Sequence, residues 1–316
     1  MRVINLLVVT CIIVCVNATW KNEDYFRVPG GMMMHKSCLH HVEAGSHIID
    51  NDDGVFVNGE RVERCEYKPI YNEDLGIGSR MSGSRSLPAD GWQTWTSYQH
   101  PNNSTFTTFN GNFTVPNAPS SFKRNEIVYI FTGLQNDNWI PNSGRAFGSP
   151  QDFEIIQPVL QYGGASANGG GEYWGVASWY VTVGSGAFWS TELKVNPGDS
   201  IYGVMEAKGP TTWFINSVLA SGQNSSITIT RPRLSNNPWA YCTLEVYNIA
   251  ECINLPPSNS PSHFTNMILT DSNGPISPEW TSYTEDYLGG PSQNPCGADF
   301  TIIDPTAVDL VCQSAN

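Results

Sequence analysis

The sequence predicts an all-β fold of two antiparallel sheets packed face to face, and three observations predict it. Short runs rich in Val, Ile, Thr, Tyr, Phe and Trp recur along the chain, separated by turns of Gly, Asn and Pro. Several of these runs alternate apolar and polar residues with period two, which gives a strand one buried face. No stretch carries a convincing 3.6-residue period, so no amphipathic helix competes with the strands.

Residues 1–18 read as a secretory signal. Arg2 supplies the charged start, Leu6 to Val16 the apolar core, and Val16-Asn17-Ala18 a small-residue cleavage site. The apolar run falls short of the roughly 20 residues a membrane span requires, so an exported, extracellular protein is expected. Beyond the signal six cysteines remain: Cys38, Cys65, Cys242, Cys252, Cys296 and Cys312. An even number in an exported chain points to disulfides. Short loops close most easily, so the neighbour pairs Cys38–Cys65, Cys242–Cys252 and Cys296–Cys312 are expected. Asn102, Asn103, Asn112 and Asn224 each begin an Asn-X-Ser/Thr acceptor, the pattern of a glycoprotein.

Residues 19–90 differ in character from the remainder of the chain. They hold His35, His40, His41 and His47, with 8 basic against 12 acidic residues, and a cysteine pair frames Asp53-Gly54-Val55-Phe56-Val57-Asn58-Gly59. The Asp-Gly and Asn-Gly steps around that apolar triplet read as a small hairpin. Gly76 to Ala89 then has the Gly/Ser-rich composition of a linker. The stretch is read as an N-terminal subdomain or removable prosegment. The spacing of His35, Cys38, His40 and His41 fits no zinc pattern, so neither metal nor other cofactor is expected.

Residues 91–255 form the expected sandwich. Trp92 to Tyr98 and Thr105 to Val115 alternate, Ile127 to Phe131 is a short apolar run, and Ile155 to Tyr162 is a strand closed by Gly163-Gly164. Along that strand Gln157, Val159 and Gln161 share one face, and Ile156, Leu160 and Tyr162 share the other. Trp174 to Val183, Trp213 to Val218, Ser225 to Arg231 and Tyr241 to Ile249 continue the series. Residues 256–316 begin Pro/Ser/Asn-rich and read as a C-terminal extension packed on the sandwich.

Lys+Arg 16 against Asp+Glu 29 gives a net charge of −13, and from Gly91 onward only seven residues are basic. That balance argues against nucleic acid or an anionic membrane as partner, and it suits either colloidal solubility or a protein that works in acid. A monomer is expected.

The common catalytic signatures, HExxH, Gly-x-Ser-x-Gly, the P-loop and Asp-Thr/Ser-Gly, are absent. Carboxylate and carboxamide chemistry remains. On the run from Tyr241 to Tyr247, Cys242, Leu244 and Val246 face one way and Tyr241, Thr243, Glu245 and Tyr247 the other. Strand propensity disfavours a mid-strand Glu, so Glu245 reads as a groove residue.

Five segments together resemble the glutamic peptidases (eqolisins). They are Phe131-Thr132-Gly133-Leu134, Pro158-Val159-Leu160-Gln161-Tyr162-Gly163, Ser178-Trp179-Tyr180, Pro197-Gly198-Asp199-Ser200-Ile201, and Leu244-Glu245-Val246 with Cys252 shortly after. The resemblance implies a concanavalin A-like sandwich, a polypeptide substrate and an acid endopeptidase activity. It places Gln161 as the amide that stabilises an oxyanion and Glu245 as general acid and base. It puts Trp179, Tyr247, Phe131 and Gln135 at the substrate. The chain departs from that family in carrying Gln135 and Ala177-Ser178 where the family has acids. Two other readings share the sandwich. One is a glycan-binding module using Trp92, Trp95, Trp174, Trp179 and Trp189 as stacking surfaces. The other is a glycoside hydrolase with Glu206 and Glu245 as a carboxylate pair.

Overall fold

The computed structural model describes residues 24–71, 89–136, 153–164, 169–231, 236–284 and 294–313, and among them no α-helix occurs. Seven strands lie in the N-terminal stretch: β1 (Tyr25–Val28), β2 (Met32–His35), β3 (Leu39–Val42), β4 (Ser46–Asn51), β5 (Gly54–Val57), β6 (Glu60–Val62) and β7 (Ile70–Tyr71). The main body begins with β8 (Ala89–Gln99), β9 (Thr108–Thr114), β10 (Ile127–Gln135), β11 (Glu154–Gly163), β12 (Gly171–Thr182) and β13 (Gly186–Ser190). It continues through β14 (Leu193–Val195), β15 (Ser200–Gly209), β16 (Thr212–Leu219), β17 (Asn224–Thr230) and β18 (Trp239–Ile249). The C-terminal stretch adds β19 (Ser262–Asp271), β20 (Gly274–Ile276), β21 (Thr281–Thr284), β22 (Asp299–Asp304) and β23 (Ala307–Val311).

Two large sheets result. The first runs β21-β8-β18-β10-β11-β12-β13-β3, with β14 also on β12; the second runs β22-β23-β19-β9-β15-β16-β17-β4-β5-β6, with β20 on β19. The all-β sandwich expected from the sequence is therefore present, and it has the form of a concanavalin A-like sandwich. Side-chain alternation explains how the central strands build it. On β10, Val128, Ile130 and Leu134 face the second sheet, while Ile127, Tyr129 and Phe131 face away. From the second sheet, Phe113, Ile201, Met205, Trp213, Ile215 and Ile229 fill the space between, all fully or almost fully buried. Each such side chain contributes about 1.5–3 kcal/mol by leaving water. Pro158 faces inward against Gly203 on β15, where an added Cβ would lie 2.8 Å from the proline ring. The proline within a central strand is thus matched to a glycine on the facing sheet.

The N-terminal stretch does not stand apart as a subdomain with its own core. Strand β3 pairs with β13 and β4 pairs with β17, both parallel, so each large sheet gains an N-terminal strand. These two junctions depart from the antiparallel pairing expected throughout. A buried ionic cluster reinforces the second junction. Arg231 Nη1 lies 3.0 Å from Glu154 and 3.5 Å from Asp50 of β4, and donates to the Tyr180 hydroxyl at 2.7 Å. Strands β1, β2 and β7 form a small third sheet. The C-terminal stretch is likewise woven in, with β21 on the first sheet and β19, β22 and β23 on the second.

The disulfides correct the expected pairing. Cys38–Cys65 forms, but the second bridge is Cys252–Cys296, and Cys242 and Cys312 are free and buried. Strand geometry overrides loop length here. Cys242 faces the inter-sheet core with Leu244 and Val246, and its Sγ lies 3.7 Å from Met267 Sδ. Residues 1–18, read above as a signal, and most of residues 76–89, read as a linker, lie outside the described residues.

Removing Arg231 takes this cation from the buried Glu154 of β11 and leaves Asp50 of β4 with Arg64, 3.3 Å away. Arg231→Ala is expected to lower unfolding stability by about 3–5 kcal/mol in a denaturant titration, whereas an isolated surface pair such as Lys208–Glu206 should cost under about 1 kcal/mol.

Candidate functional site

The face of the first sheet turned away from the core is aromatic. Trp92, Tyr129, Phe131, Val159, Trp179 and Tyr241 line it and are buried. Val28, Met32, Met34 and Cys38 of the N-terminal stretch cover them. Two tight positions shape the cover: Gly30 and Gly31 have φ of 119° and 81°, values that residues with a Cβ rarely adopt. They turn the chain between β1 and β2, so the loop Pro29-Gly30-Gly31 is the tip of a hairpin laid on the sheet.

The strand register places the polar residues. Glu245 on β18 and Gln161 on β11 both stand opposite Tyr129 on β10, and Gly175 on β12 extends that row. Two strand spacings separate Glu245 and Gln161, about 10 Å between Cα atoms. They point to the same layer, with Tyr129 between them. Gln157 stands on the same face beside Trp179, four residues along β11 from Gln161.

Both oxygens of the Glu245 carboxyl are occupied. Oε2 accepts the Gly30 N–H at 2.8 Å, Oε1 accepts the Gly31 N–H at 2.7 Å, and the Tyr247 hydroxyl also donates to Oε1. Gln157 Nε2 donates to the Pro29 carbonyl at 3.0 Å. One peptide group, Pro29–Gly30, is therefore held at its carbonyl by Gln157 and at its N–H by Glu245. Gln161 is engaged differently. Its Nε2 donates to the carbonyls of Gly163 at 2.9 Å and Gly169 at 3.1 Å, which uses both amide protons on the turn after β11. A third anchor lies beside Glu245. The Arg27 guanidinium is 3.6 Å from Asp90 and sits 4.4 Å over the Tyr247 ring.

Burial sets the electrostatics. It pushes the Glu245 carboxyl from the ordinary carboxylate range up to about 7, against the Tyr247 hydroxyl, the Gly30 and Gly31 N–H groups and Arg27, which all favour its ionised form. Burial also raises Asp90, opposed by Arg27 and the Asn248 N–H, and it raises the Tyr247 hydroxyl well above its usual value.

The remaining candidate residues occupy several distinct places. Trp179 stacks on Trp189 with ring centroids 5.0 Å apart, Phe131 meets Trp92 and Tyr241 edge-on, and Gln135 closes β10 opposite Trp239 and Ile155. Trp174 faces the inter-sheet core, and Trp92, Trp95, Trp179 and Trp189 are each at most 6% exposed, so with the hairpin in place none offers an open stacking platform for a sugar. Glu206 lies on β15 of the other sheet and pairs with Lys208 at 2.6 Å, so it shares no groove with Glu245 and the carboxylate-pair reading falls. Among the described residues no group of three His, Cys, Asp or Glu is placed to hold a metal. His35 bonds Ser37, His40 stacks on Phe188, and Cys38 is in its disulfide. The hairpin tip and the partners Arg27 and Asp90 escaped the sequence reading. The signal was present in Pro29-Gly30-Gly31, a turn between Tyr25-Phe26-Arg27-Val28 and Met32-Met33-Met34.

No protein-family model matches the chain, and no curated protein matches it. Among solved structures, scytalido-glutamic peptidase with a peptide-based transition-state analogue is similar, at 14% identity and a TM-score of 0.48, covering 72% of this chain and 99% of that one. SCP-B, a member of the eqolisin family of peptidases in complex with the tripeptide Ala-Ile-His, is similar at 14% identity and a TM-score of 0.47, with the same coverage. At these values the likeness carries no argument about activity.

The raised Glu245 carboxyl has a sign that can be checked. Its value in the fold, about 7, lies above the 4.5 of the unfolded chain. Folding therefore takes up a proton between those pH values, and stability from this group falls as pH rises from about 4.5 to 7, by roughly 3 kcal/mol in full. Unfolding titrations at the two ends of that window should show the fall in the natural chain, and Glu245→Gln should flatten it.

Proposed function

We propose that the chain is an exported endopeptidase of the glutamic type, acting on polypeptides in acid. The observation that carries this reading is the peptide group Pro29–Gly30, held between a buried glutamate and a carboxamide. The groove already accommodates a peptide main chain, at the turn of the hairpin, and the two contacts fall on the atoms that hydrolysis must address. An ionised Glu245 accepts a proton from water as it attacks a carbonyl carbon, then passes that proton to the departing nitrogen. A carboxamide N–H directed at the carbonyl oxygen stabilises the charge that develops there. Gln157 is assigned that role because its amide already donates to a peptide carbonyl. Gln161, with both amide protons given to Gly163 and Gly169, is assigned to holding the turn beside the groove.

Tyr247 orients the Glu245 carboxyl, and Trp179 and Phe131 form the apolar floor under the main chain. The acid range comes from the chemistry of the carboxyl. Burial is the largest cause of its raised value, so admitting water as the hairpin withdraws returns it towards the ordinary carboxylate range. In the closed form described, the hairpin fills the groove and both Glu245 oxygens are taken, so this form is latent.

Digestion of a denatured protein at about pH 2–5 by chain freed of the hairpin tests the reading. Glu245→Gln should abolish digestion, and Gln157→Ala should lower kcat by roughly 10²–10³-fold, the loss seen when an oxyanion donor is removed. Gln161→Ala should cost less, with its effect on thermal stability. No digestion by the natural chain once freed of the hairpin would sink the reading. A Gln161→Ala chain as inactive as Glu245→Gln, beside an unimpaired Gln157→Ala chain, would reverse the assignment of the two glutamines.

A further inference from the structure

The stretch covering the groove has two halves with different attachments. The hairpin of β1 and β2 is held on the groove by non-covalent contacts, namely Glu245 and Gln157 at its tip and the Arg27–Asp90 pair. Its pairing with the rest of the stretch is limited to two positions, Met32 with Tyr71 and Met33 with Ile70. The half that begins at Cys38 is fixed in another way. Cys38–Cys65 closes it covalently, β3 lies on β13, β4 lies on β17, and Asp50 enters the buried Arg231 cluster. Withdrawing this half would strip β3 from the first sheet and β4, β5 and β6 from the second, and take a carboxylate from a buried cation. Withdrawing the hairpin would do neither.

A single short turn joins the halves. Residues Lys36–Cys38 form one 3-10 turn, in which Cys38 is buried while Lys36 and Ser37 are exposed; the Lys36 side chain is 61% exposed. The partner of Lys36 is Asp24, 2.7 Å away, which belongs to the hairpin half and would leave with it. From these placements we propose that Lys36–Ser37 is an activation cleavage site, at which an endopeptidase selective for basic residues separates a removable plug from a permanent brace. Water adds across that amide, leaving a carboxylate on Lys36 and an amine on Ser37. The plug then departs with Arg27, Pro29, Gly30 and Gly31, Glu245 Oε2 is freed, Oε1 keeps only the Tyr247 hydroxyl, and residues 37–71 remain as part of the sandwich. The proposal rests on the reading of the groove as a peptide-hydrolysing site, and it replaces wholesale loss of residues 19–90 with a cut inside that stretch.

The full chain and its Lys36→Ala variant are treated briefly with a lysine-specific endoproteinase and analysed by mass spectrometry. Each is then titrated with a synthetic peptide of the sequence Tyr25–His35 and assayed on denatured protein at about pH 4. The cut natural chain should start at Ser37 and retain residues 37–71. It should bind the peptide roughly tenfold or more tightly than uncut chain, because a tethered ligand competes at a millimolar effective concentration. Digestion should rise by a similar factor, and the Lys36→Ala chain should gain neither property. A chain that resists cutting after Lys36, loses residues 37–71 with the plug, or fails to bind the peptide once the plug has left overturns the proposal. So does an equal gain in the Lys36→Ala chain. Peptide binding without digestion upholds the cleavage site and sinks the peptidase reading instead.

Discussion

Two main-chain N–H groups on one buried carboxyl hold the groove in its closed state. A carboxyl with no exposure to solvent is tolerable only when its oxygens are satisfied. The Gly30 and Gly31 N–H groups and the Tyr247 hydroxyl meet that need at Glu245. The contact dictates much around it. Both positions favour glycine, because the tip turns with positive φ. Arg27 is carried to Asp90 and over Tyr247 by the same hairpin, and the aromatic floor is shut off from water. Burial that raises the Glu245 carboxyl and contacts that favour its charge act against each other at one atom pair, and burial prevails.

The register of the first sheet decides which side chains can cooperate. Glu245, Tyr129 and Gln161 fall in one row, an arrangement that by itself favours a Glu245–Gln161 pair. Hydrogen bonding alters that reading. Gln161 donates to the carbonyls of Gly163 and Gly169, and both protons of its carboxamide are consumed there. Gln157, further along the strand, has a peptide carbonyl within reach. Position in a sheet sets the face a side chain takes; local backbone carbonyls decide what its amide does.

The strands and faces of the main body were legible in the sequence because period-two alternation is a local property. Gln157, Val159 and Gln161 on one face, and Cys242, Leu244 and Val246 opposite Glu245, can be read from adjacent residues alone. What escaped depends on distant partners. Nothing within residues 19–90 announces that β3 and β4 pair with β13 and β17, since parallel pairing needs no turn signal between the strands. The bridge between Cys252 and Cys296 likewise depends on where Cys242 is turned by its strand. Loop length, the only guide available from spacing, ranks that bridge below the neighbour pair.

The contact between the tip and Glu245 spans 215 residues of chain, so it also has a place in time. At synthesis rates of about 5–20 residues per second, the hairpin emerges roughly 10–40 seconds before its carboxyl partner exists. Strands β3 and β4 wait similarly for β13 and β17. Contacts of such long sequence separation form late and slowly. This early apolar segment, with three consecutive methionines from Met32 to Met34, is thus among the last to be covered. A nascent chain of this protein carries an exposed hydrophobic hairpin through most of its own synthesis, and it is there that a chaperone would meet it.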